Sequence, residues 1–159
     1  MKTIYYIILF ILVLVSCKTV ENDRMDNGVV TSEYDSLLAA ELGADSYGMK
    51  TYVMAFLMRG DSVAADSTTA AKLQRAHLDN ITRLAENGSL ILAGPFMDED
   101  DFRGIYIFNV SSIDEARELT RSDPAIRAGV LKMELHRWYG SAALQKLNEI
   151  HSSIQSDSI

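Results

Sequence analysis

A histidine on the apolar side of a predicted helix is the residue of this chain best suited to acid–base chemistry. His77 lies four residues after Leu73 and four before Ile81, so helical geometry places the three side chains on one face. That face meets the core, so the imidazole loses water and needs a partner for a ring nitrogen. Its ordinary pKa of about 6.5 suits a general base near neutral pH. A core histidine bonded to a backbone carbonyl has the same spacing, so both interpretations stay open here.

A carboxylate stands at the start of a short helical turn in the second half of the chain. Asp123 directly precedes Pro124, and an aspartate before a proline at the first helical position is typical of an N-cap. Such a cap accepts a backbone N–H and stabilises the turn by about 1 kcal/mol. A carboxylate in this position can also orient an imidazole, as in hydrolase triads. Capping alone or capping with a functional role are therefore the two interpretations of Asp123.

Three further residues are weaker predictions for a substrate-binding role. Arg59 and Arg103 lie at a predicted strand end and strand start, where a guanidinium can bind an anionic group through two parallel hydrogen bonds. Surface ion pairs are the alternative for both. Trp138, at the end of the last predicted strand, either walls a pocket or packs against the core or a second subunit. The three histidines lack ligand spacing and the chain has a single cysteine, so no metal site and no cofactor is predicted.

The first seventeen residues read as a secretory leader that ends at a cysteine. Lys2 precedes an apolar run from Ile4 to Val15, which is too short to span a bilayer comfortably. The sequence Leu14-Val15-Ser16-Cys17 resembles the lipobox of bacterial lipoproteins, in which the leader is removed and the cysteine is acylated. This resemblance implies a lipid on Cys17 that anchors the protein to a membrane of the cell envelope, on its periplasmic or surface side. An ordinary cleaved signal or a signal anchor is the alternative.

Charge and length limit what the remaining chain can do. The whole chain carries a net charge of −7, and removal of residues 1–16, whose one charged residue is Lys2, leaves 143 residues at −8. This acidity argues against a nucleic-acid partner, because phosphate binding requires a basic patch. The length fits one domain with tails. We predict a lipidated cysteine and flexible tether over 17–33, an extension with a possible short helix over 34–48, a domain over 49–139, and a helix with a frayed tail over 140–159.

The hydrophobic pattern of the domain predicts the order strand, helix, strand, strand, helix, strand. The four strands are expected near 50–58, 89–96, 103–110 and 130–138, with helices over 68–87 and 112–121. Ser112 and Glu115 form a capping-box pattern at the second helix. This order indicates an α+β, ferredoxin-like βαββαβ fold, a four-stranded antiparallel sheet with its helices on one face. The other face needs a cover, for which we expect a homodimer; residues 34–45 or the last helix are the alternative.

An ordered set of short motifs lies between Tyr52 and Trp138. The motifs are Tyr52–Leu57, His77-Leu78, Gly88-Ser89-Leu90, Ala93-Gly94-Pro95-Phe96, Gly104, Ser111–Leu119, Asp123-Pro124-Ala125, Gly129 and Trp138. This set resembles the YCII-related family of the dimeric α/β-barrel superfamily. The resemblance implies a dimeric α/β barrel and a site that pairs a histidine of the first helix with an aspartate of the Asp-Pro loop. These are His77 and Asp123 here. Ala125 replaces the phenylalanine usual after Asp-Pro, which would widen the cleft or loosen the loop.

Two functions follow from the resemblance and the residues together. Some relatives act on small ring compounds such as lactones or chlorinated hydroquinones, which implies a cofactor-independent hydrolase, lyase or isomerase with His77 as acid/base and Asp123 as its orienting partner. The alternative is a non-catalytic module that binds a small molecule or assembles with another protein, with His77 and Asp123 in structural roles.

Overall fold

The computed structural model describes residues 33–98 and 100–157. Along the chain the elements are α1 (Ser36–Glu41), β1 (Met49–Arg59), α2 (Ser67–Glu86), β2 (Leu90–Pro95), β3 (Phe102–Phe108), α3 (Ile113–Arg121), α4 (Pro124–Arg127), β4 (Leu131–Ser141), a 3₁₀ helix (Ala142–Lys146) and α5 (Leu147–Ile154). The leader, Cys17 and the tether up to residue 32 lie outside the described residues. No helix within the described ranges is long and apolar enough to cross a membrane.

The four strands form one antiparallel sheet in the order β2-β3-β1-β4. The register pairs Ala55 of β1 with Tyr106 of β3 and with Leu135 of β4. Because directly opposed residues of antiparallel strands share a face, these side chains point to the same side of the sheet. The α+β, ferredoxin-like fold expected from the sequence is confirmed.

One face of the sheet packs against the helices and forms the larger core. Its buried members are Val53, Ala55, Leu57, Leu84, Leu90, Tyr106, Phe108 and Ala116. Met133 and Leu135 of β4 also pack there, because alternate residues of a strand face the same side of the sheet. We refer to this side as the helix face of the sheet and to the other as the outer face.

Side-chain caps fix where the helices of the helix face begin. The Asp66 carboxylate accepts the Thr69 N–H at 2.8 Å at the start of α2. Ser112 and Glu115 form the expected capping box at α3. Because each cap satisfies backbone N–H groups that have no partner inside the helix, these polar residues set the helix starts from local sequence.

The C-terminal segment packs on part of the outer face, which is the intrachain alternative considered for covering that face. Leu144 and Leu147 contact a second cluster of apolar residues, formed by Tyr52, Met54, Ile91, Leu92, Ile107 and Trp138. The single helix expected within 140–159 is instead a 3₁₀ helix followed by α5. The physical reason is that β4 continues to Ser141, whose side chain caps the 3₁₀ turn, while the Ala142 N–H bonds the Gly48 carbonyl at 2.9 Å.

The remaining part of the outer face carries a group of aromatic rings. Phe56 contacts Phe102 and His136 edge to face, with ring centroids 6.0 and 5.7 Å apart, and Phe96 contacts Phe102 at 6.4 Å. Phe96 and Phe102 are 41% and 44% exposed. The homodimer stays a prediction, and this aromatic area is where a second copy would contact the outer face.

Candidate active site

His77 and Asp123 meet between α2 and the turn that begins α4. The His77 Nδ1 lies 2.7 Å from the Asp123 Oδ2, and the two residues are 7% and 0% exposed. His77 lies near the middle of α2, on its buried side, while Asp123 is the N-cap of α4. The other oxygen of Asp123, Oδ1, accepts the Ala125 N–H at 2.8 Å. One carboxylate therefore caps the turn and holds the imidazole at once.

The partner of Nδ1 determines which nitrogen of His77 is available for chemistry. A carboxylate is an acceptor, so the Nδ1–H donates to Asp123 and the neutral ring keeps its lone pair on Nε2. This is the tautomer that a general base requires when a carboxylate orients it. The contact is buried on both sides, which strengthens the interaction relative to water.

Tyr106 of β3 faces the other nitrogen of the ring. Its hydroxyl lies 3.4 Å from the His77 Nε2, and the two rings are nearly parallel with centroids 6.3 Å apart. Burial, and after it the negative charge of Asp123, raise the pKa of the Tyr106 hydroxyl well above its usual range. The hydroxyl thus stays protonated across working pH and acts as a donor toward Nε2.

Asn80 adds a buried amide one turn after His77 on α2. Its Oδ1 accepts from the Arg83 guanidinium at 2.7 Å and from the Ser122 hydroxyl at 3.0 Å. Its Nδ2 is buried with no hydrogen-bond partner in the structure, and the residue is 7% exposed. Asn80 therefore ties α2 to the residue before Asp123 and leaves one amide donor unused.

Two clefts lie beside this polar cluster, although neither is lined by His77 or Asp123. The first, of about 330 Å³, runs between α2, β2 and α5, and its lining includes Ile81, one turn after His77, and Ala93, which pairs with Tyr106. The second, of about 460 Å³, is lined by residues of the β1 end, the α3 end and the β4 start, among them Gly60, Thr120 and Gly129. The cluster is thus flanked by open space but is itself largely closed.

The structure does not bring the other predicted binding residues to this pair. Arg59 and Arg103 lie together at one end of the sheet, and Arg59 pairs with the exposed Asp101 at 3.7 Å. Trp138 is on the outer face, opposite Tyr52 with ring centroids 6.0 Å apart, so the sheet separates it from His77. Cys17 lies outside the described residues.

Sequence reasoning did not identify Tyr106 and Asn80 as part of the site. Asn80 follows His77 by three residues, so helical spacing alone places it on the same face of α2. The position of Tyr106 is harder to predict from the sequence, because its proximity to His77 depends on the register of β3 and on where α2 crosses the sheet.

The chain is thus a small ferredoxin-like α+β domain with a histidine–carboxylate pair buried between its helices. The chain belongs to the YCII-related family: the model of the YCII-related domain matches residues 52–139, which is 88 of the 159 residues. This match confirms the resemblance seen in the motifs between Tyr52 and Trp138.

Seven chains among the solved structures match this protein. One is 5-chloro-2-hydroxyhydroquinone dehydrochlorinase from Burkholderia phenoliruptrix, in complex with 2,5-dihydroxybenzoquinone. Its sequence is 20% identical to this chain, the match covers 54% of this chain and 92% of the other, and the TM-score is 0.40. No curated protein matches the chain.

Proposed function

We propose that this protein is an enzyme that acts on a small molecule by acid–base chemistry, without a cofactor. The observation that carries the proposal is the 2.7 Å contact between His77 Nδ1 and the buried Asp123 carboxylate. In this role His77 Nε2 takes a proton from the substrate and returns it later, while Asp123 orients the ring and stabilises its protonated form.

A non-catalytic module that binds a small molecule or assembles with a protein is the second candidate. The observation in its favour is that His77 is only 7% exposed and lines neither of the two clefts. Under that function the pair only stabilises the contact between α2 and the α4 turn.

Turnover of a panel of compounds by the full-length protein distinguishes the two functions. Lactones and chlorinated hydroquinones are suitable, since relatives in the family act on such rings, and product formation is followed by NMR. We expect turnover of at least one compound, with a fall of about 10²–10⁴-fold in His77→Asn. Asparagine keeps a donor where Nδ1 was and lacks Nε2, so the buried carboxylate stays paired.

The matched control is His136→Asn, which alters an exposed histidine paired with Glu134 at 2.9 Å on the outer face. It is expected to turn over the panel like the wild type. Equal turnover by the wild type and His77→Asn, or no turnover of any compound, would count for the non-catalytic module.

We further propose that the protein is anchored to the cell envelope by a lipid on Cys17 and that two copies associate. The leader, the Leu14-Val15-Ser16-Cys17 pattern and the absence of any other cysteine support the anchor. The half-exposed aromatic group of the outer face supports the dimer.

Metabolic labelling of the full chain in a bacterial host tests the anchor. Labelled palmitate is expected on the wild type and to be lost in Cys17→Ser, whose hydroxyl cannot replace the thiol in this modification. Label that persists in Cys17→Ser contradicts the anchor.

Sedimentation of the wild type in detergent tests the dimer, and the mass of two copies is expected. A one-copy mass at micromolar concentration contradicts the dimer.

A further inference from the structure

The cleft between α2, β2 and α5 has a polar wall, formed by one face of the last helix. The residues of this wall follow one another at helical spacing and are Asn148, His151, Ser152 and Gln155. Leu147 of the same helix packs on the outer face, but its other apolar residues, Ile150 and Ile154, are 57% and 75% exposed. Because a surface helix ordinarily turns its apolar stripe inward, this orientation of α5 favours a cleft that receives a polar group.

The other walls of the cleft are largely apolar. Their apolar residues are Ile81 and Ala85 of α2 and Leu90, Ile91, Leu92 and Ala93 of β2. Ala93 is exposed and its side chain is a single methyl group, so it leaves the cleft open at the edge of the sheet. The volume of about 330 Å³ is at the small end of the range for ligand pockets. The cleft therefore fits one substituted ring or a short alkyl chain.

The charges of the lining determine which polar group the cleft attracts. Glu86, the last residue of α2, is the only acid among the lining residues, and none of them is a lysine or an arginine. Its carboxylate has no hydrogen bond or ion pair within residues 33–98 and 100–157. Thr82 and Glu86 are four residues apart, so helical spacing places both on the flank of α2 that lines the cleft. The end of α2 also carries the negative end of the helix dipole, so the cleft attracts a cation.

Asn148 holds the polar wall against the sheet. Its Nδ2 donates to the Leu90 carbonyl at 2.9 Å, which joins α5 to β2. Because the carbonyl oxygen only accepts, the amide atom next to it is the nitrogen, and Oδ1 is left as a further acceptor on the α5 wall. The match to the YCII-related domain ends at residue 139, so this wall lies outside the part of the chain that defines the family.

We propose that this cleft is a binding site for a small organic cation, an ammonium group carried on one apolar ring or a short alkyl chain. The ammonium group pairs with the Glu86 carboxylate at the end of α2. The apolar part packs against α2 and β2, and the polar face of α5 closes the cleft over it. The site is separate from the proposed proton transfer, since His77, Asp123 and Tyr106 are not among its lining residues.

Binding of benzylammonium tests the inference, because this compound carries one cationic group on one apolar ring. It is added at pH 7.5 to the ¹⁵N-labelled full chain in a non-ionic detergent. The backbone amide signals of cleft residues such as Leu92, Ala93 and Ser152 are expected to shift, with a dissociation constant of about 1 mM or below. Benzyl alcohol, which lacks the charge, is expected to bind about fivefold more weakly, and benzoate more weakly still.

Two variants separate the charge of the site from its space. Glu86→Gln keeps the size of an exposed side chain, so the fold is retained, and it is expected to weaken benzylammonium about fivefold, to the level of benzyl alcohol. Ala93→Phe fills the cleft from its exposed edge and is expected to abolish the shifts with both compounds. The matched control is Glu149→Gln, an exposed acid of α5 outside the lining that pairs with Lys146 at 3.5 Å. It is expected to bind like the wild type.

The outcomes also separate this inference from the proposed function. His77→Asn is expected to bind benzylammonium like the wild type, whether or not it loses turnover. Absence of shifts at the cleft amides up to about 10 mM benzylammonium would overturn the inference. Benzoate binding as tight as that of benzylammonium, or binding by Glu86→Gln equal to that of the wild type, would also overturn it, even if His77 proves catalytic.

Discussion

Asp123→Asn is expected to leave the chain folded and to abolish proton transfer by His77. The asparagine oxygen can still accept the Ala125 N–H, because asparagine caps helices as well as aspartate does. Its amide nitrogen then faces Nδ1, which must become an acceptor, so the proton moves to Nε2. The base is thereby lost, and turnover is expected to fall by about 10⁴-fold, the size seen for this exchange in hydrolase triads.

The ¹⁵N spectrum of the imidazole ring measures this change directly. In the wild type the protonated nitrogen of neutral His77 is expected to be Nδ1, and in Asp123→Asn it is expected to be Nε2. Asp123→Ala serves as the comparison, because it removes both the cap and the imidazole partner. It leaves the buried His77 N–H without an acceptor, which costs about 1–3 kcal/mol, and it removes the cap on the Ala125 N–H, which costs about 0.5–2 kcal/mol, so this variant should be clearly destabilised in urea unfolding. A protonated Nδ1 retained in Asp123→Asn would contradict the orienting role.

The sequence was sufficient to predict the elements because local chemistry decides where they begin and end. The capping box of Ser112 and Glu115 starts α3, and Asp123 with Pro124 starts α4, as expected. Met133 and Leu135 of β4 both pack on the helix face because residues two apart in a strand point to the same side. These features depend on neighbours within a few residues, so they can be predicted from the amino-acid sequence alone.

The composition of the site could be predicted only in part because it depends on long-range register. His77 and Asp123 are 46 residues apart and were associated through family resemblance; the structure brings them to 2.7 Å. Tyr106 reaches Nε2 because β3 pairs with β1 so that Ala55 and Tyr106 share the helix face. A shift of one residue would turn Tyr106 to the outer face, and no local pattern determines that choice.

The cover of the outer face is a second case in which tertiary contacts override the local pattern. The sequence predicted a helix within 140–159 and left open whether that helix, residues 34–45 or a second copy covers the outer face. The 3₁₀ turn and α5 reach the outer face because β4 extends to Ser141 and directs the chain back across the sheet. Asn148 then donates to the Leu90 carbonyl at 2.9 Å and joins α5 to the edge strand β2.

Gly60→Ala is expected to destabilise the protein by about 2–3 kcal/mol and to disturb the site from a distance. A Cβ at position 60 would lie 2.0 Å from the Gly129 carbonyl oxygen and 2.7 Å from the Val130 carbonyl carbon. Both are backbone atoms, so no side chain can rotate away. The bonds from Gly60 N–H to Val130 and from Ser62 N–H to Gly129, at 2.8 and 2.9 Å, join the end of β1 to the residues that follow α4.

The control for this substitution is Gly94→Ala in β2, where an added Cβ meets nothing within 4 Å and the backbone is not left-handed. Alanine loses less conformational freedom than glycine on folding, so this variant should match or slightly exceed the wild type in urea unfolding. Because Asp123 caps the start of α4 and Gly129 lies two residues after its end, displacement of Gly129 should also move the carboxylate away from His77. Reduced stability with an unchanged His77 ¹⁵N spectrum would show instead that the α4 turn keeps the pair in place independently of the β1–β4 contact.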